Sequence, residues 1–241
     1  MTPLDPTPFL DATLRIAAVA TGLGALEALA FPSKLRSLRP RHRLSSPLLV
    51  VQAGLCLALA AGVSPCFLPL PVLAIRLLRN RGERWGLDGS DQMQTLLWIA
   101  LTVAMTTTDT GIRGVALAFV GLQALLAYTT AGLIKLRSEA WREGLALPRI
   151  LGTRAYGNPT LAAWLAPRPR LSALVGWAVV ALECLLPIGV FLGHRGRIAS
   201  LASAALFHLV TGHVMGLSGF LLTFLAAWPG ILYLACCTWG A

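Results

Sequence analysis

The sequence predicts an all-α fold: a polytopic membrane helical bundle of about eight transmembrane helices, one transmembrane domain over 1–241, with an interfacial segment at 137–170. Three observations predict it. Hydrophobic residues make up 56% of the 241 positions and mean hydropathy is +0.71. Charged residues are only 12%, where a soluble domain carries about 25%. The basic residues fall in loops between apolar runs. A hydrocarbon core ~30 Å thick takes ~20 residues per helix, so about 160 residues fill eight spans. The net charge of +10 then reads as loop charge that sets orientation and meets anionic headgroups, with no nucleic-acid partner implied.

The first span runs from about Phe9 to Phe31. The preceding MTPLDP has no basic n-region, so this span is expected to be retained rather than cleaved. Arg15 and Glu27 lie within it, twelve residues apart. Each is expected to find a partner on another helix or to reach an interface. The loop SKLRSLRPRHR follows, with Lys34, Arg36, Arg39, Arg41 and Arg43. Residues 47–78 are apolar but interrupted by Ser64-Pro65 and the Pro69/Pro71 pair. Two short passes turning near Ser64-Pro65 are preferred over one, because Arg76, Arg79, Arg81 and Arg84 then return to the side of the first basic loop. Further spans are expected over about 92–108, 113–136, 171–192, 198–215 and 217–236. On this count one side carries sixteen Lys or Arg and the other carries three: Arg113, Arg195 and Arg197. The excess of positive charge inside places both termini outside and Lys135 near the cytoplasmic face of the cell inner membrane. The long connection from 137 to 170 holds Trp141, Trp164, four prolines and three glycines. It reads as a short amphipathic piece followed by turns along the interface.

The stretch YTTAGLIKLRSEAWREG, 128–144, carries the chemistry. Tyr128, Ala131 and Lys135 follow i, i+3, i+7 spacing and share one helical stripe. Ala131 and Gly132 let another helix approach just before the lysine. Lys135 then has two readings. It is a snorkelling anchor whose ammonium reaches the headgroups, or a partly desolvated amine able to act as a base. Residue chemistry alone leaves both open.

Three stretches together resemble a known family: DGSDQMQTLL (88–97), YTTAGLIKLRSEAWREGLAL (128–147), and ALECLLPIGVF (181–191) continuing to LFHLVTGHVMGLSGFLLTFLAAWPGILYL (206–234). Their order and spacing are similar to the HTTM family, the membrane domain shared with vitamin K-dependent γ-glutamyl carboxylase, over about 87–234. The likeness is greatest to the bacterial branch of sporulation-delaying-protein maturation factors. The resemblance implies a lysine base, at the position of Lys135, acting toward a vitamin K-like quinol. It also implies proton removal from a glutamate side chain and addition of carbon dioxide. Where the carboxylase has a histidine near the start of the GSDQM helix, this chain offers Asp91 or Gln92. The maturation-factor branch implies a secreted-peptide substrate and a small partner protein. The family's reaction face is extracytoplasmic, opposite to the side that the loop charges give Lys135.

His208 and His213 are five residues apart, about 140° of helix rotation. They do not share a face and make a poor metal pair. His208 matches the family's Phe-His and joins Lys135 as a catalytic candidate, while His213 is a cavity candidate. Glu183 sits mid-span, where a carboxylate marks either a functional site or a structural hydrogen bond. Asp91 heads a helix, as a first-turn acid or as a cavity residue. Tyr128 and Trp141 are further cavity candidates, Trp141 and Trp164 equally reading as interfacial anchors. Asp109 reads as a turn residue. The five cysteines form no C-x-x-C pair, so no metal is expected and they read as small hydrophobes. Three functions remain open: an intramembrane enzyme or maturation factor acting on a peptide, a non-catalytic chaperone, immunity or transport subunit, and a quinone-linked oxidoreductase subunit.

Overall fold

The apolar runs fold as helices whose ends fall where the sequence turns polar. The computed structural model describes residues 4–30, 45–63, 66–81, 89–153, 157–216 and 218–239. These hold eleven helices and no strand. They are α1 (Thr7–Ala30), α2 (Ser45–Ala60), α3 (Pro69–Asn80), α4 (Gly89–Met105), α5 (Thr110–Arg137), α6 (Glu139–Arg142), α7 (Ala146–Leu151), α8 (Pro159–Leu165), α9 (Pro169–Gly189), α10 (Gly193–Met215) and α11 (Ser218–Trp239). Five of them, α1, α5, α9, α10 and α11, are long and apolar enough to cross a membrane. At 1.5 Å per residue each exceeds ~30 Å. Helices α2, α3 and α4 have 16, 12 and 17 residues. Leu57, Val115 and Ile134 are 72%, 71% and 69% exposed, an outward apolar surface that suits lipid contact. Several apolar helices of this kind make the chain a multi-pass membrane protein.

The 47–78 segment folds as two helices. Arg79 Nη1, at the end of α3, donates to Gln52 Oε1, in the first half of α2, at 2.9 Å. That bond requires α3 to run back along α2. Pro69 and its neighbour Pro71 start α3, where a missing N–H costs nothing. Ser64-Pro65, the basic loop 34–43 and Arg84 lie outside the described residues. Arg76 corrects the loop assignment. It sits inside α3, 5% exposed.

The partner of Arg15 also differs from expectation. Its Nε meets Asp11 Oδ2 at 2.8 Å, one turn back on α1 itself and in an exposed position. Just before α1, the Asp5 carboxylate accepts the Thr7 N–H at 2.9 Å. The Thr7 backbone and hydroxyl hold Asp5 below the usual carboxylate range, with a smaller push from the Arg113 charge. Asp109 is a turn residue with a job: its Oδ1 accepts the N–H groups of Gly111 and Ile112 at 2.7 and 3.1 Å, capping α5.

Internal contacts gather the chain into two compact units, 1–124 with 222–241, and 125–221. In the first, Gly22 lets α1 approach Cys56 of α2, and Ala25, Ala28 and Leu49 form a small buried cluster. Trp98, fully buried, donates its indole N–H to Thr21 Oγ1 at 2.9 Å. Helices α5 and α11 cross backbone to backbone at Gly121 and Gly230. A Cβ added at Gly121 would lie 2.5 Å from the Gly230 carbonyl carbon and 2.8 Å from Ile231 N. In the second unit the connection after α5 is more helical than expected. It folds as three short helices of four, six and seven residues. Leu151, Ala162 and Leu165 bury against Leu147, Leu161, Leu171 and Val214. The second and third pieces each have an apolar side to bury, Ala146 and Leu151 in α7 and Ala162 and Leu165 in α8. Prolines and glycines keep each short.

Gly121→Val should therefore force α5 and α11 apart. The expected cost is about 1–3 kcal/mol, read as a lowered thermal unfolding midpoint in detergent. An unchanged midpoint would contradict the crossing.

Candidate functional site

The site is built where α5 meets α9, and Gly132 is what lets them meet. A Cβ there would stand 2.7 Å from Cys184 Sγ and 3.1 Å from both Cys184 N and Glu183 Cβ. Without that Cβ the two helices close to within reach of a side-chain pair. Three residues on, Lys135 extends across. Its Nζ donates to Glu183 Oε1 at 2.8 Å and to Oε2 at 2.7 Å. The lysine side chain is 20% exposed and the glutamate 5%. A charge in an apolar slab is tolerated when it is paired and hydrogen-bonded, and here each group supplies that partner to the other.

Trp141 covers the lysine from a third side, its ring centroid 5.3 Å from Nζ. Gly176 of α9 makes room for it, since a Cβ there would lie 3.2 Å from the Trp141 carbonyl oxygen and 3.5 Å from the ring. Gly144 then turns the chain at φ +79°, a conformation that disfavours a side chain. It is also packed so closely on the start of α9 that a Cβ would sit 2.6 Å from Ala173 N. Trp141 is thus held by tertiary packing as well as by its taste for an interface.

Seven residues before Lys135, on the same stripe of α5, Tyr128 is 4% exposed. Its hydroxyl shares a 2.5 Å hydrogen bond with His208 Nε2 of α10. His208 is fully buried, with Phe207 and Phe220 at ring-centroid distances of 5.2 and 4.9 Å. The stripe therefore carries two polar pairs about 10 Å apart along the helix: Tyr128–His208, then Lys135–Glu183.

The structure brings together Lys135, Glu183 and Trp141, and separately Tyr128 and His208. His213 is exposed on α10, a different face from buried His208. Asp91 belongs to the first unit and to another polar cluster. Arg76 Nη2 donates to the Asp91 carbonyl at 3.0 Å and stands 3.6 Å from its carboxylate. Arg76 Nη1 bonds Gln94 Oε1, and Gln94 Nε2 donates to Thr223 Oγ1 at 2.7 Å. Sequence reasoning missed this network because it assigned Arg76 to a loop. Glutamines 52 and 94 in apolar runs were the available signal. A further signal was passed over for the main site. Of twenty basic residues only Lys34 and Lys135 are lysines, so a chain that anchors with arginine elsewhere uses an amine at this helix end.

Among the described residues no three His, Cys, Asp or Glu side chains converge as metal ligands. The Lys135–Glu183 pair offers both donors and acceptors to an incoming hydroxyl, and the flat Trp141 ring lies beside it. That donor set fits a quinol. Comparisons with protein-family models, with curated proteins and with solved structures find no match to this chain.

Removing one member of the pair strands the other. Lys135→Ala or Glu183→Gln should each cost roughly 2–3 kcal/mol, and the double change Lys135→Met/Glu183→Leu should cost less than either. Thermal unfolding in detergent measures all three. A double variant as damaged as the sum of the singles would show that the two residues do not interact.

Proposed function

We propose that this chain is an integral membrane enzyme or maturation factor that modifies a peptide, with the Lys135–Glu183 pair as its proton-handling centre and a vitamin K-like quinol as co-substrate. In this reading α2, α3 and α4 join the five long helices to make eight spans in the cell inner membrane. The observation that carries the proposal is the direction of Lys135. A snorkelling lysine extends away toward headgroups. This one folds across to a carboxylate on another apolar helix, with an indole over it.

The pair suits proton transfer. Acting as base, the Lys135 amine gives its N–H groups to Glu183 and turns its lone pair outward. A substrate hydroxyl that donates to that lone pair can pass its proton to the amine, leaving an oxyanion, and the ammonium so formed stays paired with the Glu183 carboxylate. A bound quinol supplies the reducing equivalents and, with oxygen, the strong base that takes a proton from a glutamate side chain. Trp141 screens the pair from water. Tyr128 and His208 hold α5 and α10 in register behind it, as a second proton-exchanging couple.

One observation favours a second reading. Both carboxylate oxygens of Glu183 are engaged by a single Nζ, which also describes a brace. The brace would serve a non-catalytic chaperone, immunity or transport subunit that binds a peptide or partner protein.

The test reconstitutes the chain in nanodiscs with reduced vitamin K, oxygen, a glutamate-containing peptide and labelled bicarbonate. The proposal expects label in the peptide with wild type and a loss of about 10²–10⁴-fold with Lys135→Ala. No incorporation by folded wild type, or equal incorporation by Lys135→Ala, overturns it. Peptide retained unmodified by both proteins would support the second reading.

A further inference from the structure

Helices α5 and α9 are both long enough to cross a membrane, and α6, α7 and α8 between them have only four, six and seven residues. The connection therefore stays on one side of the bilayer, at its surface. Its charge is lopsided. From 137 to 170 the sequence has six arginines against two glutamates, Glu139 and Glu143. Arg137, Arg142, Arg149, Arg168 and Arg170 are exposed, and none of them meets a carboxylate among the described residues. Glu143 precedes Gly144, which packs on the Pro169 carbonyl, yet it forms no ion pair with Arg168 or Arg170.

Two of these arginines are set on a fixed frame. The run APRPR, 166–170, puts a proline on each side of Arg168 and one before Arg170, which holds φ at 167 and 169. Leu165, at the end of α8, buries against a group that includes Leu171 of α9, so the run joins two packed helices. Trp164, next to that buried leucine, is 48% exposed. The Arg168 guanidinium lies over its ring, 4.7 Å from the centroid. Arg168 Nη1 donates to the Trp164 carbonyl at 2.5 Å. The other side-chain N–H groups of Arg168, and all those of Arg170, have no hydrogen-bond partner among the described residues.

We propose that Arg168 and Arg170 form a seat for the phosphate of one anionic phospholipid, with the Trp164 ring as the support that orients Arg168. The argument is charge complementarity. A guanidinium fork matches a phosphate, and stacking on an indole fixes the fork while leaving N–H groups to donate. Indole rings settle at the headgroup level of a bilayer, so an arginine stacked on one stands at phosphate depth. Arginines outnumber acids along the whole segment, so the ammonium of a zwitterionic headgroup would meet cations. A headgroup with net negative charge meets none of that repulsion. The seat takes one lipid on two placed residues, which a diffuse pull between a basic loop and the membrane does not require. It does not depend on the chemistry of Lys135.

The test is native mass spectrometry of the intact, detergent-purified protein titrated with phosphatidylglycerol, phosphatidylcholine or phosphatidylethanolamine of matched chains. An arginine near an anionic surface is worth about fivefold, so the glycerol lipid should bind about fivefold to twentyfold tighter than the other two. The double variant Arg168→Gln/Arg170→Gln should lose most of that preference. Arg137→Gln/Arg142→Gln removes the same charge elsewhere on the segment and should keep it. Trp164→Leu leaves both guanidinium groups and should still weaken the glycerol lipid, because the fork is no longer held. Equal binding of the three lipids by wild type, tighter binding of either zwitterionic lipid, or an equal loss in the two double variants overturns the proposal. Displacement of the bound glycerol lipid by a glutamate-rich peptide at equal concentration also overturns it, giving the seat to a peptide.

Discussion

An amine placed in an apolar slab must find an opposite charge or stay out. That constraint organises the second unit. Lys135 and Glu183 come from helices far apart in sequence, and their contact at 2.7–2.8 Å fixes how α5 lies on α9. The arrangement follows from a missing atom. Gly132 has no Cβ, so Cys184 and Glu183 can approach. With any larger residue there the pair would open, and two charges would be left to the hydrocarbon at a cost of several kcal/mol. The turn at Gly144 and the close fit at Gly176 then bring Trp141 over the amine.

Much of this architecture was legible in the sequence. Apolar runs bounded by basic or proline-rich stretches gave the helices to within a few residues, because hydrocarbon admits only segments that satisfy their own backbone. Spacing alone separated the two histidines by face, and the structure has His208 buried and His213 exposed. The fold of 47–78 into two helices was legible from its charges and its interrupting prolines.

What was not legible depends on which helix packs on which. Glu183 and Lys135 each stood out as intramembrane charges, but no spacing rule joins residues 48 positions apart. Arg76 was misassigned for the opposite reason. Its neighbours are loop-like cations, while its partners, Gln94 and the Asp91 carbonyl, lie on another helix. The Asp11–Arg15 pair was within reach of i,i+4 reasoning and was overlooked because Arg15 was weighed against Glu27 and other helices and not against Asp11 one turn back. Asp91 belongs to the polar network of the first unit, through Arg76.

The account stands on Lys135 being engaged by Glu183. Reductive methylation with ¹³C-formaldehyde reports on it directly, because the chain has only two lysines. In bilayers, Lys135 should react far more slowly than a free lysine, and Glu183→Gln should raise its rate and move its ¹³C-methyl resonance. A Lys135 that is methylated as fast as free lysine, with a resonance indifferent to Glu183→Gln, would contradict the central claim.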